Sequence, residues 1–120
     1  MDGVPKEYWN TIKNGMYMVV NERDSGIKKY YTNLSVKVAG KTGTAQVSLN
    51  HPNNALFLSF APYENPEICV TVVIPNGYAS EQAAIVAREV YGYYFEGDNH
   101  DDLLSGKVFA AKIKSVGYTD

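Results

Sequence analysis

Two short runs limit the fold class more than any other feature of the sequence. "ALFLSFA" (residues 55–61) and "EICVTVVI" (67–74) are rich in β-branched and aromatic residues, and only "PYENP" separates them. Strand-type runs joined by so short a turn, with a proline at each end, form an antiparallel hairpin. The first run is apolar almost throughout, as expected for a strand buried on both faces. A two-stranded hairpin is marginal in water, so other elements must cover it.

The flanking sequence supplies them. Upstream, Pro5 suits the first turn of a helix and Glu7 complements the positive end of its dipole. Trp9, Ile12, Met16 and Val19 then follow at helical spacing, predicting a helix over residues 6–20 with one apolar stripe. "NERDSG" (21–26) ends it, and residues 30–34 fit neither period. Residues 36–47 read as a third strand. Downstream, Gly77 and Ser80 open a helix over 80–95, with Ser80 as its N-cap, Glu81 in the first turn, and Ala83, Ala87, Val90 and Tyr94 facing inward. The expected fold is α+β, an antiparallel sheet of about three strands flanked by helices. Residues 1–95 form its body and 96–120 a tail of mixed composition. Two helices are few to cover a strand buried on both faces, so the domain reads as incomplete. Cys69, inside "EICVTVV", is expected to be buried and inert.

The third strand raises a chemical question. "VAGKTGTAQV" (38–47) places a lysine, two glycines and several hydroxyl or amide side chains where a strand-forming run is expected. Glycine weakens a strand, and its presence usually means that something approaches the backbone closely. Composition removes several answers. Eleven basic and 13 acidic side chains give a net charge of −2, with no basic face for nucleic acid. One cysteine excludes an internal disulfide and a cysteine-based zinc site. No run reaches the ~20 apolar residues of a membrane span, and "MDGVPKEYWN" is not a signal peptide. "GKT" (40–42) ends like a phosphate-binding loop. However, the glycine required five positions before Gly40 is Ser35, and a strand rather than a helix follows.

"KTGTAQ" (41–46) instead resembles the third active-site motif of the penicillin-binding proteins and serine β-lactamases. Its surroundings match too. "ALFLSFAPYENPEICVTVVI" followed by "ASEQAAIVAREVYGYYF" is similar to the hairpin and C-terminal helix after that motif. "WNTIKNGMYMVVNE" is similar to the helix before it. The resemblance runs from Pro5 to Phe95 and is strongest to the monofunctional, class B transpeptidases that cross-link peptidoglycan. It implies a partial penicillin-binding-protein/serine β-lactamase-like transpeptidase domain, working by serine acyl transfer without a cofactor or metal. Acyl transfer needs a backbone amide aimed at the developing oxyanion, and a cation and hydroxyls for the substrate carboxylate. By resemblance, Lys41 contributes positive charge beside the nucleophile. Thr42 and Thr44 meet the carboxylate of a D-Ala-D-Ala stem peptide or a β-lactam, and the Thr44 N–H forms half of the oxyanion hole. Gly43 leaves the strand edge bare, so that substrate can add as a strand, and Gln46 continues the polar row.

The same resemblance requires Ser-x-x-Lys and Ser-x-Asn before the motif. "SGIK" (25–28) and "SLN" (48–50) match by letter only. Ser25 sits in a turn where Gly26 disfavours the required helix, and "SLN" follows the motif instead of preceding it. The chain is therefore expected to be the C-terminal part of a transpeptidase domain, inactive alone, whose parent acts outside the bacterial cell membrane, anchored by a segment upstream. The missing N-terminal part of the domain is its implied partner, no nucleic acid is expected, and the uncovered sheet is expected to make the chain a dimer. The alternative is a non-catalytic module that senses or binds β-lactams with the same strand. His51 and His100 lack metal-ligand spacing, and His51 before Pro52 reads as a loop residue. "EGDNHDD" (96–102) lacks the spacing of a calcium loop, and "YGYY" (91–94) suits helix–sheet packing.

Overall fold

The structure, a computed structural model, describes residues 3–22 and 26–97. Its elements are α1 (Lys6–Asn21), α2 (Lys28–Tyr31), β1 (Ala39–Ala45), β2 (Asn54–Ala61), β3 (Ile68–Ile74) and α3 (Ser80–Glu96). The hairpin, the third strand and both long helices are present. The expectation for residues 96–120 as a separate tail falls, beyond Gly97, outside the described residues.

The strands form one antiparallel sheet in the order β1-β2-β3. Register aligns side chains in rows across it, because opposed residues share a face and neighbours along a strand alternate. One row is Gly40, Ser59 and Val70; the next on the same face is Thr42, Phe57 and Val72. α3 covers this face. Its Ala83, Ala84, Ala87, Tyr91 and Gly92 are buried, as are Ala55, Phe57, Ser59 and Ala61 of β2. The small side chains of the helix let it lie close to the strands.

The other face is only partly covered. α1 packs along β1 and reaches the β2–β3 turn, where the Lys13 ammonium lies 5.7 Å from the ring centres of Phe60 and Tyr63 and the Tyr17 ring lies 4.7 Å from Tyr63. Leu58 and Val73 on this face are 48% and 55% exposed. The strand at 55–61 is thus buried on one face, not on both as its composition predicts, because the two long helices occupy opposite faces and α1 covers only part of its own. The same geometry corrects Cys69. It stands opposite Phe60 on the open face and is exposed.

Other local expectations shift as well. Trp9 and Ile12 are 40% and 52% exposed, so only the C-terminal turns of α1 use the apolar stripe, and Val20 is its buried residue. In α3 the buried line runs through Ala83, Ala87 and Tyr91 at strict four-residue spacing, leaving Val90 and Tyr94 outside. Ala79, not Ser80, is the N-cap of α3, and no side chain caps it. β1 is shorter than residues 36–47. Its entry is fixed instead by two irregular hydrogen bonds, Asn21 Nδ2 to Val38 O and Tyr63 N to Lys37 O, each 2.8 Å. Residues 30–34, unassigned by pattern, include the end of α2. There the Tyr31 hydroxyl donates to Ala84 O at 2.6 Å and Tyr30 donates to Glu81 at 2.7 Å, tying α2 to α3.

Candidate functional site

β1 is an edge strand. β2 pairs with one side of it, and among the described residues no strand pairs with the other. An edge leaves alternate N–H and C=O groups unpaired and able to accept another extended chain. Burial changes sharply along it. Val38, Ala39 and Gly40 are buried, Lys41 is exposed, Thr42 and Gly43 are half-buried, and Thr44, Ala45 and Gln46 are exposed.

The anchored part ends at Gly40. A Cβ there would lie 2.4 Å from Cζ and 2.8 Å from Cε2 of Phe57, and 3.0 Å from Cβ of Ser59. No side chain other than hydrogen fits without moving a buried ring. Gly43 is different, since a Cβ there would meet only Leu56 Cβ at 3.5 Å, an ordinary contact. Gly40 is required by packing within this chain and Gly43 is not. Of the two glycines in the string, the second is free for another purpose.

Of the five residues singled out by sequence, four lie along one edge but on two faces. Lys41 and Gly43 share the open face with Leu58 and Leu56, while Thr42 and Thr44 share the α3 face with Phe57 and Ala55. Lys41 Nζ donates to Thr42 O at 2.6 Å, which folds the ammonium back along the strand. Gln46 follows the end of β1. What these residues have in common is therefore the strand edge and not a shared cavity. A cleft of about 430 Å³ does adjoin the end of the strand, lined by Gln46, Leu49, Asn50, His51, Pro52, Asn53 and Tyr78. Of the five residues only Gln46 reaches it.

That cleft was not legible by pattern, because its wall comes from two loops far apart in sequence. Tyr78 contributes with φ at +63°, a conformation that a bulky residue rarely adopts. Its N–H donates to Asn53 O at 3.0 Å and holds the two loops together. His51 is an exposed loop residue, as its sequence context predicts.

Of the two stray serine motifs, only "SLN" lies wholly within the described residues. Ser48 lies in the β1–β2 connection, where its Oγ accepts from Asn50 N at 3.1 Å. Ser25 lies outside the described residues; Gly26 beside it has φ +78°, and Lys28 opens a helix of only four residues. Among the described residues no helix is long and apolar enough to cross a membrane, and no group of histidine, cysteine and carboxylate side chains is arranged to hold a metal ion.

Comparison with known proteins places this edge in context. The profile of the family described as "Penicillin binding protein transpeptidase domain" matches residues 3–92. Peptidoglycan D,D-transpeptidase MrdA of Escherichia coli K12 is 34% identical over 110 residues, covering 80% of this chain and 17% of that protein. The chain thus spans a small part of the curated relatives it matches. Among solved structures, PBP2 of Pseudomonas aeruginosa is 33% identical with a TM-score of 0.66, covering 83% of this chain and 22% of that one. Penicillin-binding protein A of Mycobacterium tuberculosis, as an imipenem acyl-enzyme complex, is 28% identical with a TM-score of 0.61, covering 72% and 19%.

Proposed function

This chain belongs to the penicillin-binding protein transpeptidase family, and on that premise we propose that it is the part of a peptidoglycan D,D-transpeptidase that presents the substrate-docking strand. One observation carries the reading. The family motif "KTGTAQ" lies on an edge strand whose outer side is open and whose base is clamped at residues 37–40. A fixed edge that pairs with an added chain is what docking an extended D-Ala-D-Ala stem peptide, or a β-lactam in its place, requires.

The residue roles are those the family resemblance implies, and the edge geometry is compatible with them. An acyl-enzyme forms when a serine oxygen attacks the substrate carbonyl, and negative charge develops on the carbonyl oxygen. The Thr44 N–H supplies one donor to that oxygen, at a strand position where no reorganisation is needed. Lys41 lends its positive charge from the open face, and the Thr42 and Thr44 hydroxyls approach the substrate carboxylate from the opposite face. The substrate is held between the two sets along the edge. Gly43, with room for a Cβ in this chain, is kept bare for the incoming backbone. Gln46 extends the polar row toward the cleft of His51 and Tyr78. The attacking serine and its lysine base come from the upstream part of the domain, so residues 1–120 alone are inactive. The whole enzyme works on the outer face of the bacterial cell membrane. Leu58, Val73 and the uncharged β3 edge, which lack cover here, make the isolated chain self-associate.

A chimera tests this reading. Residues 5–95 replace the matching segment of the E. coli relative, and chimera and isolated chain are exposed equally to a fluorescent penicillin. The chimera is expected to label on a serine outside this segment and the isolated chain to form no adduct. An adduct on Ser25 or Ser48 of the isolated chain, or a folded chimera that takes no label, would overturn the assignment.

A further inference from the structure

We propose that Tyr91 of α3 and Ser59 of β2 are a positioning pair that sets where the motif strand lies. The proposal rests on the assignment of β1 as the docking strand and says how that strand is held. Under α3 the sheet face is lined mainly by Ala55, Phe57 and Ala61, with Ser59 as its fully buried polar side chain among the described strand residues. Its hydroxyl is used in both directions. The Tyr91 hydroxyl donates to Ser59 Oγ at 2.8 Å, and Ser59 Oγ donates to Val70 O at 3.1 Å. The bonded serine is therefore satisfied on each side, with Tyr91 as its link to the helix.

Ser59 is also the residue opposite Gly40, immediately before Lys41, and its Cβ lies 3.0 Å from where a Gly40 Cβ would be. The row Gly40–Ser59–Val70 is thus pinned from above by α3. A purely apolar face allows a helix to slide or rotate by small amounts at little cost. A single buried hydrogen bond to one row removes that freedom, which is the best-supported use of a buried polar contact. Burial raises the Tyr91 phenol to about 12, against the lowering effect of its bond to Ser59, so the group stays a donor throughout the physiological range. β2 is the one strand paired with β1 among the described residues, so Ser59 holds the motif strand on its sheet side, while Asn21 of α1 and Tyr63 hold the residues that lead into it.

The test separates positioning from plain stability and needs no ligand, so its failure is distinct from failure of the penicillin assignment. Amide hydrogen exchange and ¹H–¹⁵N shifts are measured on the whole 120-residue chain. In Tyr91→Phe the Ser59 hydroxyl keeps its bond to Val70 O and loses its link to α3, and the Val70 backbone loses its own bond to the Tyr91 hydroxyl. The protected amides of residues 39–45 should exchange roughly fivefold faster or more, with shifts centred on Gly40 and Lys41, while amides of β3 other than Val70 and its immediate neighbours change by less than about twofold. Tyr31→Phe is the control, since it removes a buried tyrosine hydrogen bond of 2.6 Å from α3 without touching β1. It should leave residues 39–45 at the wild-type rate. Ser59→Ala should reproduce the Tyr91→Phe pattern at β1, and adding it to Tyr91→Phe should add little there. A uniform rise over all strands in Tyr91→Phe, or the same β1 pattern in Tyr31→Phe, would overturn the proposal.

Discussion

The ring of Phe57 occupies the space that a side chain on Gly40 would need, with Cζ only 2.4 Å from the ideal Cβ position. Packing of β2 thereby reserves the residue before Lys41 for glycine, while Gly43 keeps 3.5 Å of clearance from Leu56. Gly40→Ala should destabilise the chain by about 1–3 kcal/mol, the usual effect of forcing an extra methyl into a packed site. Gly43→Ala should stay within roughly 0.5 kcal/mol. Urea denaturation of both variants checks this, and equal losses would mean that the glycines are not divided in this way.

Cys69 should react. It is exposed on the open face of β3, so a thiol reagent should label it in the native chain at a rate close to that of the unfolded chain. Protection that persists after dilution to the monomer and disappears only on denaturation would contradict the exposure seen here.

Alkaline pH should weaken the fold in a defined window. Burial raises Tyr91 to about 12 from an ordinary 10.0, and raises Tyr31 further still. In the unfolded chain both phenols ionise at their ordinary value, and in the folded chain they hold their protons longer. Unfolding above pH 10 therefore releases protons, so stability is intact below about pH 10 and falls as pH rises toward the folded values. The slope should reach about 1.4 kcal/mol per pH unit for each tyrosine. Tyr91→Phe should flatten the slope between pH 10 and 12, as measured by urea midpoints across that range. An unchanged slope would contradict the burial of this hydroxyl.

The frame of the fold was legible because its signals are local. The turn at "PYENP" and the β-branched runs beside it define β2 and β3, and the spacing in "ASEQAAIVAREVYGYYF" defines α3. Faces were harder. Cys69 lies in a run that reads as buried, yet strand alternation turns it outward, and which side carries a helix is decided by tertiary packing. Tyr91, not Tyr94, points inward because burial follows four-residue steps from Ala83, which the choice between three- and four-residue spacing leaves open. The motif itself was readable by resemblance. The roles of Gly40, Phe57, Ser59 and Tyr91 in holding it were not, since they depend on register across the sheet. A glycine directly before the motif lysine is the one trace of them in the sequence.

Self-association should follow from the open face and the β3 edge. "ICVTVVI" carries no charge and no proline, two common guards of an edge strand. Light scattering at high concentration should give a mass above that of the monomer, and Val73→Lys together with Leu58→Lys should reduce it. A monodisperse wild-type monomer would show that the face and edge do not seek a partner.

We propose that the edge of β1 docks the substrate, and the acylation rate of the E. coli chimera by a fluorescent penicillin is the decisive measurement. Lys41→Ala removes the cation proposed to lie beside the reacting centre, and Gly43→Val places a branched side chain beside the proposed docking edge, its Cβ in ordinary contact with Leu56 Cβ at 3.5 Å. Each should slow acylation at least about a hundredfold, the scale of losing one transition-state contact, while the melting temperature moves by only a few degrees. Acylation within twofold of the unmodified chimera in both variants would contradict the claim that substrate lies along this strand.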